Sequence, residues 1–144
     1  MINIDQRELH YAGAYNPLYI IRQKQKPLED QLRKYLSLET ESHQLFELKG
    51  DKQPIAIYIT ESEFNTKRVK LLKGDNLYLF SDGFVDQKGG PNQKKFLSKN
   101  FKKLLIGIQS LSLEDQKIHL ENVLTTWQKD IEQVDDILVM GIRV

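Results

Sequence analysis

The sequence contains no cysteine among its 144 residues. This absence excludes a disulfide framework, a cysteine-based zinc site and thiol chemistry. No apolar run approaches the roughly 18 residues that a membrane-spanning helix needs. The first ten residues, MINIDQRELH, lack the basic and then apolar layout of a signal peptide. We therefore expect a cytoplasmic domain that makes no membrane contact.

An excess of charge of either sign is also lacking. The chain has 21 Lys and Arg residues against 20 Asp and Glu residues, a formal net charge of +1. This balance gives no global electrostatic reason to expect nucleic acid as a partner. A length of 144 residues with 40% hydrophobic and 28% charged residues is typical of a single globular domain.

The first half of the chain is dominated by patterns typical of strands. Ile2 and Ile4 alternate with polar residues and are followed by residues 9–12, which predicts a hairpin. Residues 18–22 have the sequence LYIIR, which is rich in β-branched and aromatic residues and therefore favours a third strand. Further predicted elements are strands over Leu45–Leu48 and Ile55–Ile59, and a hairpin of Arg68–Leu72 and Asn76–Phe80 around the turn Lys73-Gly74-Asp75.

Helical spacing appears in three places. After Pro27, apolar residues recur at Leu28, Leu32, Tyr35 and Leu36, which predicts a short helix within the charged segment 23–44. Two longer helices are predicted in the second half, one capped by Ser98 and one capped by Ser112, with Asp115 in the first turn of the latter. The apolar run Ile137–Ile142 then predicts a buried strand in the centre of a sheet. The resulting class is α+β.

Two acidic positions stand apart from the surface charges. Asp82 follows a predicted buried strand and precedes Gly83, and Asp135 with Asp136 precedes the last strand. Carboxylates at the ends of neighbouring strands suit Mg²⁺ or Mn²⁺, which prefer oxygen ligands and keep several waters. An Asp-Gly pair after a strand is also a common turn, in which glycine takes positive φ and aspartate caps the backbone. Residue types alone leave both interpretations open and favour the turn.

The other chemistry-bearing residues give weaker signals. His10, His43 and His119 are far apart and none has the spacing of a zinc ligand. Ser81 has no identifiable base, so nucleophilic catalysis is not expected. A lysine cluster near the first long helix is either a solvated face or a docking surface for an acidic partner, and its members are Lys94, Lys95, Lys99, Lys102 and Lys103.

Four segments in order resemble one known family. They are Leu9–Arg22 (LHYAGAYNPLYIIR), Asp51–Ile55 (DKQPI), Lys73–Gly83 ending in LFSDG, and Gln133–Val139 (QVDDILV). This set resembles the SpoIIE-type serine phosphatases, the bacterial branch of the PP2C-like metal-dependent phosphatases. The resemblance implies an antiparallel β-sandwich with flanking helices.

The resemblance also implies a site and a reaction. It maps metal-ligand aspartates onto Asp82 and Asp135, with Asp136 in a supporting position. The family's binuclear Mn²⁺ or Mg²⁺ centre activates a water that hydrolyses phosphoserine or phosphothreonine in bacterial signalling. The implied partner is a phosphoprotein substrate, in relatives often an anti-sigma-factor antagonist. The oxygen ligands do not decide between the two metals.

The sequence also departs from the family pattern. The Gly-Gly-Asp-like and Asp-x-x-Gly-His-Gly-like motifs that precede this region in relatives are not among these 144 residues. We therefore expect the chain to be the C-terminal portion of such a domain, with an inserted charged segment at about residues 23–44. Alone it is expected to bind metal weakly, to show no phosphatase activity and to form a homo-oligomer through an open sheet edge. The alternative is a non-catalytic interaction module on a phosphatase-like scaffold.

Overall fold

The structure is a computed structural model that describes residues 1–3, 5–55 and 62–144. The chain forms two compact units, Met1–Leu79 with Gly141–Val144, and Phe80–Met140. In the described ranges, no helix has the length and apolar character needed to cross a membrane. The elements in chain order are β1 (Ile2–Asn3), β2 (Glu8–Tyr11), β3 (Leu18–Gln23), α1 (Asp30–Arg33), β4 (Leu36–Glu39), β5 (His43–Leu48), β6 (Lys67–Lys70), β7 (Asn76–Phe80), α2 (Gly83–Asp86), β8 (Lys88–Gly89), β9 (Lys94–Lys95), α3 (Ser98–Gly107), α4 (Leu113–Gln128) and β10 (Val139–Arg143).

The first unit is built on two sheets. A three-stranded sheet has the order β1-β2-β6, and a five-stranded sheet has the order β10-β7-β3-β5-β4. β2 runs antiparallel to β1 and β6, and β3 runs antiparallel to β5 and β7. The predicted α+β class with antiparallel sheets is therefore confirmed. The predicted third strand and, for its described residues, the first hairpin are confirmed as well. Ile4 and the predicted strand from residue 56 onward lie outside the described residues.

The core of this unit takes residues from both sheets. Leu9 and Val69, which are register partners in the three-stranded sheet, belong to the same buried cluster as Ile20 and Phe46, which are register partners in the five-stranded sheet. Each of the four side chains is at most 2% exposed. Burial of apolar area contributes roughly 25 cal/mol per Å² to the free energy of folding, so the burial of this shared cluster stabilises the packing of the two sheets against each other.

The predicted hairpin around Lys73-Gly74-Asp75 is wrong, although the turn itself is present. β6 pairs with β2 in one sheet, and β7 pairs with β3 in the other. The physical reason is the fully buried Asp75, which accepts a hydrogen bond from the backbone N–H of Leu72 at 2.8 Å and forms an ion pair with Arg22 at 2.7 Å. Since Arg22 lies on β3, this pair fastens the turn to the second sheet and the chain changes sheets there.

The charged segment 23–44 contains less helix than predicted. α1 is a single turn of four residues, and Leu32 is its buried residue. Leu28 and Tyr35 pack against the core cluster as predicted, but Leu36 begins β4 and is 40% exposed. β4 pairs with β5, so sheet pairing overrides the helical spacing in the second part of this segment.

The second unit confirms the two longer helices. Ser112 caps α4 as predicted, because its Oγ accepts a hydrogen bond from the backbone N–H of Asp115 at 3.1 Å. Ser98 is not the cap of α3: that position is Leu97, which has φ of 75° and no side-chain cap. Aromatic packing forms much of the interior, with ring centroids 5.0 Å apart for Phe80 and Phe101 and 4.8 Å apart for Phe84 and Phe101.

The last strand departs from the prediction of a central, buried position. β10 spans Val139–Arg143 and stands at the end of the five-stranded order in the part of the chain that is described. Leu138 is 58% exposed and Met140 is 50% exposed. The continuous apolar run was therefore correct as a strand signal, but it did not indicate that the strand has neighbours on both sides.

Candidate metal centre

Asp82 lies between the end of β7 and the start of α2. Its backbone is helical, with φ of −74° and ψ of −11°, and its side chain makes no capping hydrogen bond. The side chain is exposed, and no residue in the described ranges hydrogen-bonds or ion-pairs with its carboxylate. The turn interpretation required a carboxylate that caps the local backbone, so the structure leaves this group available for another ligand.

Ser81, the residue before Asp82, makes three hydrogen bonds to the segment that contains the second acidic pair. Its backbone N–H donates to the carbonyl of Leu138 at 3.1 Å. Its Oγ donates to the carbonyl of Asp136 at 2.6 Å and accepts from the backbone N–H of Leu138 at 2.9 Å. The hydroxyl thus satisfies two backbone groups, and it fixes the distance between the two acidic segments.

Gly83, the residue after Asp82, must be a glycine because a side chain has no room there, and not because of its backbone conformation. Its φ is not positive, unlike those of Gly74 and Gly90. A Cβ at this position would lie 2.3 Å from the carbonyl oxygen of Asp136 and 3.0 Å from the Ile137 side chain. The glycine therefore allows the backbones of the two acidic segments to approach each other closely, which a residue with a side chain would prevent.

Asp135 and Asp136 are both exposed. One oxygen of Asp135, Oδ1, accepts from the backbone N–H of Asp136 at 2.7 Å, and the Asp135 carbonyl accepts from Gln133 Nε2 at 2.8 Å. Asp136 contributes through its backbone carbonyl, which binds Ser81. The hydrogen bond from Asp136 orients the Asp135 carboxylate and leaves its Oδ2 without a partner among the described residues.

The two predicted ligands are thus brought together at the level of the backbone. Asp82 stands between Ser81 and Gly83, which both contact Asp136, and Asp136 directly follows Asp135. The donor type suits Mg²⁺ or Mn²⁺, because hard carboxylate oxygens with open coordination positions are what these ions prefer. Within the described ranges, no group of three or more Asp, Glu, His or Cys residues gathers to hold an ion. The residues present therefore fit part of a divalent site, whose remaining positions water or other ligands would have to fill.

Sequence reasoning missed the supporting residues of this site. Gln87 is fully buried, and its Nε2 donates to the carbonyl of Glu132 at 3.3 Å, which holds the start of the acidic segment. Ser81 was considered only as a nucleophile, and Gly83 only as a turn residue. The LFSDG motif contains a signal for this role: a small residue stands on each side of Asp82, and small residues permit close backbone approach.

The histidines show no metal-ligand grouping in the part of the chain that is described. His10 Nε2 lies 3.1 Å from Glu8 Oε1, and His43 Nδ1 lies 2.9 Å from Ser42 Oγ. Partial burial lowers the pKa of His43 below its usual 6.5. These contacts are local in sequence, and none involves the acidic segments.

Comparisons with known proteins show the family and the fold of the chain. The family model of stage II sporulation protein E (SpoIIE) matches residues 1–144. The solved structure of the SiaA-PP2C domain of Pseudomonas aeruginosa is similar to this chain with a TM-score of 0.75 and 27% identity. That alignment covers 96% of this chain and 47% of the SiaA-PP2C chain, so this chain spans about half of it. Among curated proteins, no sequence matches.

Proposed function

The chain belongs to the SpoIIE family, and from this premise we propose that it supplies one side of the metal centre of a protein serine/threonine phosphatase. The family is PP2C-like and generally metal-dependent. The observation that carries the proposal is the Ser81 contact, which holds the backbone next to the exposed Asp82 against the backbone of Asp136 and Leu138, close in sequence to Asp135. The proposed setting is bacterial signalling, with a phosphoserine or phosphothreonine protein as substrate. An anti-sigma-factor antagonist is the substrate class that the resemblance suggests.

In the proposed site, Asp82 and Asp135 would hold Mn²⁺ or Mg²⁺ through carboxylate oxygens. A divalent ion bound there would lower the pKa of a coordinated water and neutralise phosphate charge. Ser81 and Gly83 hold the two acidic segments close together at the backbone, so that the ion would not have to draw the segments together when it binds. In the hydrolysis itself, a water oxygen bonds to phosphorus, the bond from phosphorus to the serine or threonine oxygen breaks, and that oxygen takes a proton.

The 144 residues alone are expected to bind metal weakly and to release no measurable phosphate. Two carboxylates leave most of the coordination sphere to water, and the described residues gather no third candidate ligand. Tight stoichiometric Mn²⁺ binding by this chain, together with phosphopeptide hydrolysis that Asp82→Asn abolishes, would contradict this expectation.

The activity test uses a chimera that joins this chain to the part of the SiaA-PP2C domain outside the alignment. We expect Mn²⁺-dependent phosphate release from a phosphoserine peptide. Asp82→Asn or Asp135→Asn should lower the rate by more than about a hundredfold, the upper end of what the loss of groups that merely support a metal site costs. Asp86→Asn is the matched control, because Asp86 ion-pairs with Lys95 at 2.8 Å and is not a proposed ligand. A folded chimera whose activity survives Asp82→Asn would refute the assignment.

We also propose that the chain self-associates. Met140 in β10 is 50% exposed, and Leu138 and Val134, which precede the strand in sequence, are 58% and 67% exposed. Exposed apolar side chains at a strand that ends a sheet favour association with another chain. Light scattering at micromolar concentration should show a homodimer or a larger oligomer, which Leu138→Lys weakens and Ile118→Lys, at a 48% exposed position on α4, does not. A monodisperse monomer would contradict the proposal.

The comparisons do not favour the alternative of a non-catalytic interaction module as the function of this chain.

A further inference from the structure

The second unit contains an apolar groove that the proposed metal centre does not use. It has a volume of about 470 Å³, within the range of roughly 300–1,000 Å³ that is usual for binding pockets. It lies between the last turns of α4 and the short hairpin of β8 and β9. Its lining consists of Gly90, Pro91, Phe96, Asn122, Val123, Thr126, Trp127 and Lys129.

The floor of the groove is held rigidly. The Nε1–H of Trp127 donates to the carbonyl of Gln87 at 3.0 Å, and the Trp127 carbonyl accepts from the backbone N–H of Gly90 at 2.8 Å. The Trp127 ring stands perpendicular to the Phe96 ring, with centroids 5.3 Å apart. A Cβ on Gly89 would lie 2.0 Å from the Trp127 carbonyl oxygen, so the chain needs glycine for this approach. A surface fixed in advance loses little conformational entropy when a ligand binds.

The charge beside this apolar floor is positive. Of the lining residues in the described part of the chain, Lys129 is the one that carries charge. Lys94 is the register partner of Gly89, and cross-strand partners project to the same face of a hairpin. A Cβ on Gly89 would point at the backbone of Trp127, so Lys94 lies on the face of the hairpin that is turned to Trp127, although it is not one of the lining residues. The other cross-strand pair, Lys88 with Lys95, therefore projects to the opposite face, where Lys95 binds Asp86.

We propose that this groove docks a segment of a partner protein that carries a large apolar side chain next to carboxylates. An aromatic centre with a charged edge is the arrangement that concentrates binding energy in protein interfaces. The apolar anchor packs on Trp127 and Phe96, and the carboxylates meet Lys94 and Lys129. None of the residues that line the groove lies in the acidic segments, although Gln87, whose carbonyl accepts from Trp127, also holds the start of the segment that contains Asp135. Docking is therefore tested with a peptide and not through phosphatase activity.

Trp127 reports on the groove directly, because it is the one tryptophan of the sequence. The probe is a blocked hexapeptide with a leucine-phenylalanine pair between two glutamates on each side. We expect a saturable change in Trp127 emission with this peptide. The same peptide with lysines in place of the glutamates should bind at least about tenfold more weakly, a difference of about 1.4 kcal/mol. Unchanged emission, or equal binding of the two peptides, would overturn the proposal.

Two matched pairs of variants locate the binding. Thr126→Glu places a carboxylate in the lining, and Thr125→Glu places one on the neighbouring exposed position outside it. Lys94→Glu and Lys88→Glu reverse one charge on each face of the hairpin. We expect the first member of each pair to weaken the binding of the acidic peptide about threefold to tenfold, and the second to leave its affinity unchanged. Equal effects within a pair would overturn the location. Emission of the free chain that changes with concentration, abolished by Thr126→Glu, would instead assign the groove to a second copy of this chain.

Discussion

The two ends of β7 carry aspartates in opposite situations. Asp75, just before the strand, is fully buried, and it accepts hydrogen bonds from Arg22 Nε at 3.0 Å and Nη2 at 2.7 Å. Arg22 also donates to the carbonyls of Pro27 at 3.1 Å and Lys70 at 3.0 Å, so the guanidinium has partners on three sides. Asp82, just after the strand, is exposed and has no partner among the described residues.

The difference shows how one strand serves two purposes. A buried carboxylate whose two oxygens both accept hydrogen bonds from the protein is closed off from ligands, and it contributes to the fold. A carboxylate that a buried strand holds at its exposed end contributes little to stability and keeps its oxygens for a cation. The first kind of aspartate is therefore expected to matter for unfolding, and the second for metal binding.

The largest effect is expected for the buried pair. Asp75→Ala leaves the Arg22 charge buried without a counter-charge, which typically costs about 3–5 kcal/mol of unfolding free energy. Asp82→Ala should change it by no more than about 0.5 kcal/mol, as at ordinary surface positions. Urea unfolding followed by circular dichroism compares the two variants. Equal destabilisation by the two substitutions would remove the distinction between the ends of β7.

The next effect is steric. Gly83→Ala would place its Cβ 2.3 Å from a backbone oxygen of Asp136, so the two acidic segments must separate, at a cost of about 1–3 kcal/mol. Gly107→Ala is the matched control, since a Cβ there meets nothing within 4 Å among the described residues beyond the neighbouring backbone of its own helix. Alanine is favoured over glycine in a helix interior by about 0.5–1 kcal/mol, and Gly107, the last residue of α3, should gain part of that. In thermal unfolding, the Gly83→Ala variant should have a lower melting temperature than the parent protein, and the Gly107→Ala variant a higher one. A Gly83→Ala variant as stable as the parent would show that the close approach is not needed.

A smaller effect is expected for the serine that joins the acidic segments. Ser81→Ala removes the Oγ that bonds the backbone of Asp136 and Leu138, and should cost about 1–2 kcal/mol. Ser110→Ala, on an exposed serine of the same unit, should have no measurable effect. Hydrogen exchange adds a local readout, because the amide of Leu138 should exchange faster in the Ser81→Ala variant only. Unchanged protection at Leu138 would contradict the contact.

The smallest effect is a pH dependence in the first unit. Partial burial lowers the pKa of His43 in the folded state below its usual 6.5. As the pH falls below 6.5, the unfolded chain takes up this proton first, so stability decreases through that window and levels off below the folded-state pKa. His43→Gln should reduce this slope between pH 7 and pH 5, as measured by urea midpoints. His119→Gln is the control, and an equal change in slope would contradict the assignment to His43.

Local patterns predicted most elements but not their pairing. Ser112 was identifiable because capping depends on residues a few positions away. The partners of β6 and β7 were not identifiable, because they depend on the buried Arg22–Asp75 pair between distant parts of the chain. The same limit applies to the site: the motif indicated Asp82 and Asp135, whereas the hydrogen bonds of Ser81 and the spatial requirement for Gly83 follow only from the folded backbone.

The most direct test of the proposed metal centre is paramagnetic broadening of amide resonances by Mn²⁺, which detects an ion even when it binds weakly. Titration of the chain should broaden the amides of Ser81–Gly83 and Asp135–Ile137 together, at the same Mn²⁺ concentration. Asp82→Asn and Asp135→Asn should each abolish the broadening of both segments, and Asp86→Asn should not. Broadening of one segment without the other, or broadening that persists in the Asp82→Asn variant, would contradict a shared site.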